Sequence, residues 1–275
     1  MKITELVTKF IAKHKILWKL FYPLTKFSNG ILFQKQQIQD EPYLKEIMGV
    51  LENPIVLNGP FKGLKYPNFQ SFGSAIFPKI LGSYESEIAP VWNKLIENKY
   101  DIIIDIGSAE GYYSVGIANI LREKSTILAV DISPKALELL KKIAELNGLE
   151  KFIETKTSLN SDEIGTLCEG KRNFILSDCE GYERELFSKS NLQSFHSCDL
   201  LIEVHDAKVP GTSTYLIDLF NETHTIERIF SVDDFQKTNY YEFDELKTLS
   251  SRAKFKMLSE GRSHIQEWLY MLPRK

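Results

Sequence analysis

Cysteine is scarce in this chain. Three occur, Cys168, Cys179 and Cys198, an odd number with no C-x-x-C pair, which excludes a disulfide framework and leaves no cysteine cluster for a structural metal. No run approaches the roughly 18 apolar residues of a membrane-crossing helix. The first residues also lack the apolar core and small-residue cleavage site of a secretory signal, so a cytoplasmic protein is expected. A large charge of one sign is missing too: the formal net charge is −3, which argues against bulk nucleic-acid binding. There is no internal repeat and no low-complexity segment. What is present is 275 residues, 43% hydrophobic and 26% charged, enough for one large domain with an extension.

The most informative stretch is YDIIIDIGSAEGYYSV, residues 100–115. Ile102, Ile103 and Ile104 form a continuous β-branched run, the pattern of a parallel strand buried on both faces. Asp105 closes that strand, Gly107 and Gly111 bracket a turn, and helix residues follow from 112 to 121. Missing Cβ atoms allow positive φ and close approach of a ligand to the backbone, and a helix start offers free amides to an anionic group. A dinucleotide site wants G-x-G-x-x-G. Here the spacing is Gly107-Ser108-Ala109-Glu110-Gly111, and Glu110 would repel a pyrophosphate. S-adenosylmethionine (SAM), with its sulfonium, ammonium and single carboxylate, suits an acid-bearing turn of Asp105 and Glu110 better.

Beyond this turn, strand and helix alternate, the signature of an α/β fold with a parallel sheet and helices on both faces. Strands are expected at 126–130, 152–157, 173–177 and 200–203. Asp131, about 20 residues past the glycines, stands where a carboxylate accepts from two ribose hydroxyls, because Ser133 before Pro134 caps the helix over 135–147 and leaves Asp131 free. Ser158 and Leu159 follow the third strand, where an adenine would rest. Asp105, Asp131, Asp178, Glu203 and His205 all fall at strand ends, the rim on which open α/β sheets bind ligands.

The segments DIGSAEGYYS, DCEGYE and LIEVHD resemble the FkbM-type family of SAM-dependent methyltransferases, and GPFKGLKY with KILGSYESE resembles the lead-in of some members. The resemblance spans roughly residues 59–206. It implies a Rossmann-like seven-stranded mostly parallel sheet with the last strand, near 264–272, antiparallel, and O-methylation of hydroxyls on sugars or small metabolites. It also implies that Asp105, Gly107 and Gly111 contact the amino-acid part of SAM and Asp131 its ribose. Ala109 stands where the family commonly has a polar Asn, and Asp131 where Glu is frequent. Cofactor contacts are therefore expected at Asp105, Gly107, Ser108, Ala109, Gly111, Asp131, Ile132, Ser158, Leu159 and Asp178.

Methyl transfer to oxygen requires a base near the hydroxyl. His205 is the natural choice, since imidazole exchanges protons near neutral pH, with Asp178 and Glu180 as rivals. A divalent cation held by Asp178 and Asp206, with His205, is the alternative, not the favoured reading. Two other classes stay open: an NAD(P)-binding Rossmann oxidoreductase, and a non-catalytic SAM-binding partner protein. The expected partner is a small-molecule or glycan acceptor, with no nucleic acid.

Residues 1–52 read as an N-terminal helical extension and 53–275 as the methyltransferase domain. Residues 1–28 hold six lysines against Glu5 alone and repeat apolar residues at helical spacing up to Pro23, an expected stop. A basic amphipathic helix of this kind lies on an anionic membrane surface, binds a partner, or packs on its own domain. A second helix is expected over 34–52, restarted at Pro42, then short strands at 55–57 and 61–66, and helices at 84–98, capped by Ser83, and 244–260.

Overall fold

A computed structural model describes residues 3–274. Lys2, counted above with the basic segment, lies outside the described residues. The chain divides into two compact units, Met1–Val50 and Leu51–Lys275.

The first unit is two helices, α1 (Ile3–Lys13) and α2 (Lys15–Val50). The expected stop at Pro23 and restart at Pro42 do not occur: both prolines lie inside α2. A proline removes one i→i−4 bond and crowds the preceding turn, yet the residues after it keep helical dihedrals. The break falls at His14 instead, whose N–H reaches Ile11 C=O at 3.3 Å; nothing in the sequence explains its place.

The second unit runs α3 (Ile76–Leu81), α4 (Ala89–Glu97), β1 (Ile102–Ile106), α5 (Tyr112–Leu121), β2 (Thr126–Val130), α6 (Pro134–Leu146), β3 (Ile153–Lys156), α7 (Ser161–Cys168), β4 (Asn173–Ser177), α8 (Glu183–Leu186), β5 (Cys198–Val204), α9 (Thr212–Phe220), β6 (His224–Phe230), α10 (Asp234–Tyr240), α11 (Ser251–Leu258) and β7 (Glu267–Pro273). The seven strands form one sheet in the order β3-β2-β1-β4-β5-β7-β6. β1 pairs in parallel with β2 and β4, and β7 runs antiparallel to both β5 and β6. This is a Rossmann-like sheet with helices around it.

Continuous apolar strands bury both faces, as the isoleucine run requires. Ile102, Ile104 and Ile106 join Ile175, Leu200, Ile202, Leu216 and Phe220 in one core cluster. The intervening Ile103 and Asp105 point to the other face, where Asp105 meets Ser114 of α5.

Several expectations are corrected. Residues 55–66 make a single bridge, Ile55 to Lys65, because the two stretches pair with no larger sheet. Ser83 caps no helix; its hydroxyl is buried, and α4 begins only at Ala89 after a 3-10 turn, Ser86–Ile88. The helix expected over 244–260 splits into a 3-10 turn and α11, because Ser250 caps Ala253 N–H at 3.3 Å. β6 escaped notice because an edge strand with Glu227 and Arg228 outward looks like a surface loop.

Candidate active site

Strand order reverses between β1 and β4, and beyond the carboxyl ends of strands at such a point open α/β sheets bind their ligands. The turn after β1 ties its neighbours together. Gly107 N–H and Ser108 N–H both donate to Val130 C=O, at 2.8 and 3.0 Å, and Asp178 N–H donates to Ile106 C=O at 2.8 Å. Gly107 has φ +88°, and a Cβ there would stand 1.7 Å from the Asp178 carbonyl oxygen. Gly111 has φ +89°, and a Cβ would meet Leu140 Cγ at 2.6 Å. The space expected to admit a ligand at these glycines is thus taken by the protein's own β4 backbone and α6.

Two acids of the turn differ from expectation. Glu110 points inward. It is fully buried and paired with Lys79 of α3 at 2.6 Å, and Ser71 Oγ donates to it at 2.6 Å; burial raises its pKa, but Lys79 outweighs that and holds the carboxyl below its ordinary value. Asp105 lies inside β1, buried, and accepts from the Ser114 hydroxyl. Burial pushes its pKa up to about 7, against the opposing pull of Ser114. Asp105 therefore braces the start of α5 and does not reach the rim.

Asp131 is not free, as its position after β2 suggested, but fixed. Its Oδ2 accepts from Ala109 N–H at 2.8 Å and its Oδ1 from Ser133 N–H at 2.7 Å. Ser133 does cap α6, through Ala136 N–H at 3.4 Å. Ala109 meets Asp131 with a left-handed φ of 46°, an uncommon conformation for a residue with a Cβ. Ser108 is buried, and its hydroxyl has no partner. Ile132 is exposed beside Asp131, Ser158 is exposed past β3, and Leu159 packs on the core cluster.

At the ends of β4 and β5 the side chains converge on His205. Glu183 Oε1 lies 2.6 Å from His205 Nδ1, while His205 Nε2 stands 3.4 Å from Glu180, 3.5 Å from Asp178 and 3.9 Å from Glu203. Burial raises the pKa of Glu183, but the bond to His205 together with backbone N–H donors, Gly181 among them, outweighs it and holds the carboxyl below its ordinary value. An ionised Glu183 accepts from Nδ1–H, so in the neutral ring Nε2 carries the lone pair. Burial, and then the neighbouring Glu203 carboxylate, raise Asp178 well above the usual carboxylate range. Glu180 sits outermost with a left-handed φ of 57°, and Lys208 Nζ donates to it.

Glu203 is anchored from below. Arg262 donates from NH1 to Glu203 Oε1 at 2.8 Å, from Nε to Glu260 at 2.9 Å, and from NH2 to Glu85. Burial, followed by repulsion from Glu203, pushes Glu85 up to about 8. Asp178, Glu203 and His205 each offer one atom within 4.8 Å of the others, the one such group among the described residues suited to a metal ion. The trio named from sequence is therefore corrected: Asp206 turns away to accept from Ser213 N–H at 2.8 Å, and Glu203 takes its place.

Sequence reasoning gave no role at the site to Glu183, Arg262, Glu85 or Lys79. Glu183 was visible as the last acid of DCEGYE; the others lie far along the chain, and only folding brings them in. Tyr112 and Trp268 are buried, and Tyr113 joins Phe61, Trp92 and Trp268 in a ring cluster, so these rings are packed in the protein.

Comparison with known proteins adds a direct match. Residues 97–165 match the methyltransferase domain family. That segment holds β1, the Gly107–Gly111 turn, β2, Asp131 and β3. A comparison with curated proteins returns no match. Among solved structures the chain is similar to an O-methyltransferase from Bacillus cereus in complex with SAH (12% identity, 70% of this chain and 82% of that one, TM-score 0.47). It is similar also to the O-methyltransferase TomG from Streptomyces achromogenes in complex with SAM (10%, 70% and 81%, TM-score 0.46) and to an rRNA methylase from Streptococcus thermophilus (14%, 68% and 96%, TM-score 0.43).

Proposed function

We propose that this chain is a SAM-dependent methyltransferase of the FkbM type that methylates a hydroxyl on a sugar or small metabolite, with His205 as the base. The observation that carries the reading is the Glu183–His205 pair, which presents a lone-pair nitrogen at the end of β5 on the rim that also bears Asp131. The three free thiols fit a reducing, cytoplasmic setting.

The residues present fit the cofactor. The buried Ser108 hydroxyl has no partner of its own, and Asp131, with one amide on each oxygen, keeps a lone pair on each for vicinal ribose hydroxyls. Ile132 offers an exposed apolar side chain, with Ser158 and Leu159 beyond, for an adenine. Gly107, Ala109 and Gly111 shape the turn, and Asp105 braces it from within. SAM, when bound, supplies an electrophilic methyl group on a sulfonium.

The chain's own residues do the rest. The acceptor hydroxyl proton passes to His205 Nε2 as the oxygen attacks, and Glu183 stabilises the imidazolium that forms. Asp178, its pKa raised by burial and then by Glu203, stands beside His205 on the acceptor side. Glu180 and Lys208 form the charged outer wall.

A second reading rests on one observation, the Asp178–Glu203–His205 grouping, with Nδ1 of the histidine held by a carboxylate as in many metal sites. A divalent cation there would bind the acceptor oxygen and lower its pKa. The test is label transfer from methyl-tritiated SAM to a panel of sugars and hydroxylated metabolites. Transfer that His205→Ala removes supports the proposal. Binding of SAM without transfer to any acceptor would favour a non-catalytic binding protein, and binding of NAD in place of SAM an oxidoreductase.

A further inference from the structure

Between Leu6 and Gln39 the chain has six lysines and no acid, and the same stretch exposes large apolar side chains that a water-facing helix does not carry. On α1, Ile3, Leu6, Val7 and Phe10 are all exposed; their 1, 4, 5, 8 spacing places them on one face, with Lys9 on the other. On α2, Ile16, Leu20, Phe27, Ile31 and Ile38 lie within a narrow angular band, and Ile16 is 77%, Phe27 70% and Ile38 69% exposed. The band runs about 33 Å along the helix. Leu24 widens it, and Lys15, Lys19 and Lys26 share a line about a third of a turn away. Trp18 and Tyr22, exposed with ring centroids 5.7 Å apart, are the aromatic residues that settle where apolar and wet regions meet.

We propose that residues 3–38 dock on an anionic lipid surface, the apolar band entering the headgroup boundary and the lysines meeting lipid phosphates. No helix among the described residues is long and apolar enough to cross a membrane, so the arm lies in the interface plane. Charge decides against a second copy of this chain as the occupant. Two copies of this stretch would bring six lysines from each together against one acid, Glu5, which already pairs with Lys9 of its own helix at 2.9 Å. The seam is wrong as well, since the positions one and two heptads after Ile16 are Pro23 and Gly30, which make no coiled-coil knobs.

The test is co-sedimentation of the full chain with vesicles of phosphatidylcholine alone and of phosphatidylcholine mixed with phosphatidylglycerol. Strong partition into the anionic vesicles is expected, falling with added salt and weakened about fivefold for each lysine among Lys15, Lys19 and Lys26 changed to Gln, on the order of 100-fold for all three. Leu20→Glu with Phe27→Glu removes binding. An unchanged thermal unfolding transition shows that the variants fold. Absence of partition, equal partition into both vesicle types, or a dimer in solution that is disrupted by Leu20→Glu with Phe27→Glu while the lysine changes have no effect on it would overturn the proposal.

Discussion

Glu183 holds His205 by its Nδ1 at 2.6 Å, which leaves Nε2 as the ring nitrogen toward Asp178, Glu180 and Glu203. His205→Ala is therefore expected to lower kcat by about 10²–10⁴-fold with the affinity for SAM unchanged. Glu183→Gln keeps the volume, but its amide can donate to Nδ1 and so favours the wrong tautomer. It should lower kcat with little change in KM and alter the pH profile, as a positioning residue does. Steady-state kinetics across pH reads both.

The same side chains could hold a divalent ion, and the base reading makes a different forecast. With His205 acting through Nε2 and no ion taking part, turnover survives exhaustive treatment with a chelator and is not raised by added magnesium or manganese. Loss of activity with a chelator, restored by one of these ions, would transfer the role to the Asp178–Glu203–His205 metal site.

Lys79 and Glu110 are a buried pair, 4% and 0% exposed. Lys79→Met alone leaves an uncompensated carboxylate and should cost about 3–5 kcal/mol. Adding Glu110→Gln recovers part of the loss. Denaturant unfolding of the two single variants and the double variant measures the coupling.

Asp105 has a raised pKa, about 7 in the fold, caused by burial. The sign follows from proton counting: between the ordinary carboxylate value near 4 and about 7 the native state binds more protons than the unfolded chain. This group therefore removes stability as pH rises through that window and has no further effect above it. Asp105→Asn, which still can accept from Ser114, should gain on the wild type in melting temperature between pH 5 and pH 7. Parallel melting curves for the two proteins would contradict this.

Gly107→Ala tests the turn. A Cβ 1.7 Å from the Asp178 carbonyl, at a φ of +88°, forces β1 and β4 apart, and a loss of SAM binding together with a lowered melting temperature is expected.

Much of this architecture was legible in the chain. The Ile102–Ile104 run, the Gly107–Gly111 turn, β2 and β4 were readable because strands buried on both faces carry unbroken β-branched runs and glycines punctuate the turns. The carboxylates were harder. Glu110 and Asp105 look alike beside a glycine-bracketed turn, and only the position of Lys79, 31 residues earlier, and of Ser114 shows that both point inward. Glu183 and Glu203 were readable as acids near strand ends, but not as the partners of His205 and Arg262. The prolines of α2 misled, since a sequence marks where a helix is strained but not whether the neighbouring turns hold.

The account depends most on a SAM site at the Gly107–Asp131 turn. Titration calorimetry with SAM, S-adenosylhomocysteine and NAD tests it directly. Micromolar binding of SAM and S-adenosylhomocysteine is expected, with no heat from NAD and an affinity at least about tenfold weaker in Asp131→Ala, equivalent to about 1.4 kcal/mol. Undiminished SAM affinity in Asp131→Ala, or binding of NAD with none for SAM, would contradict it.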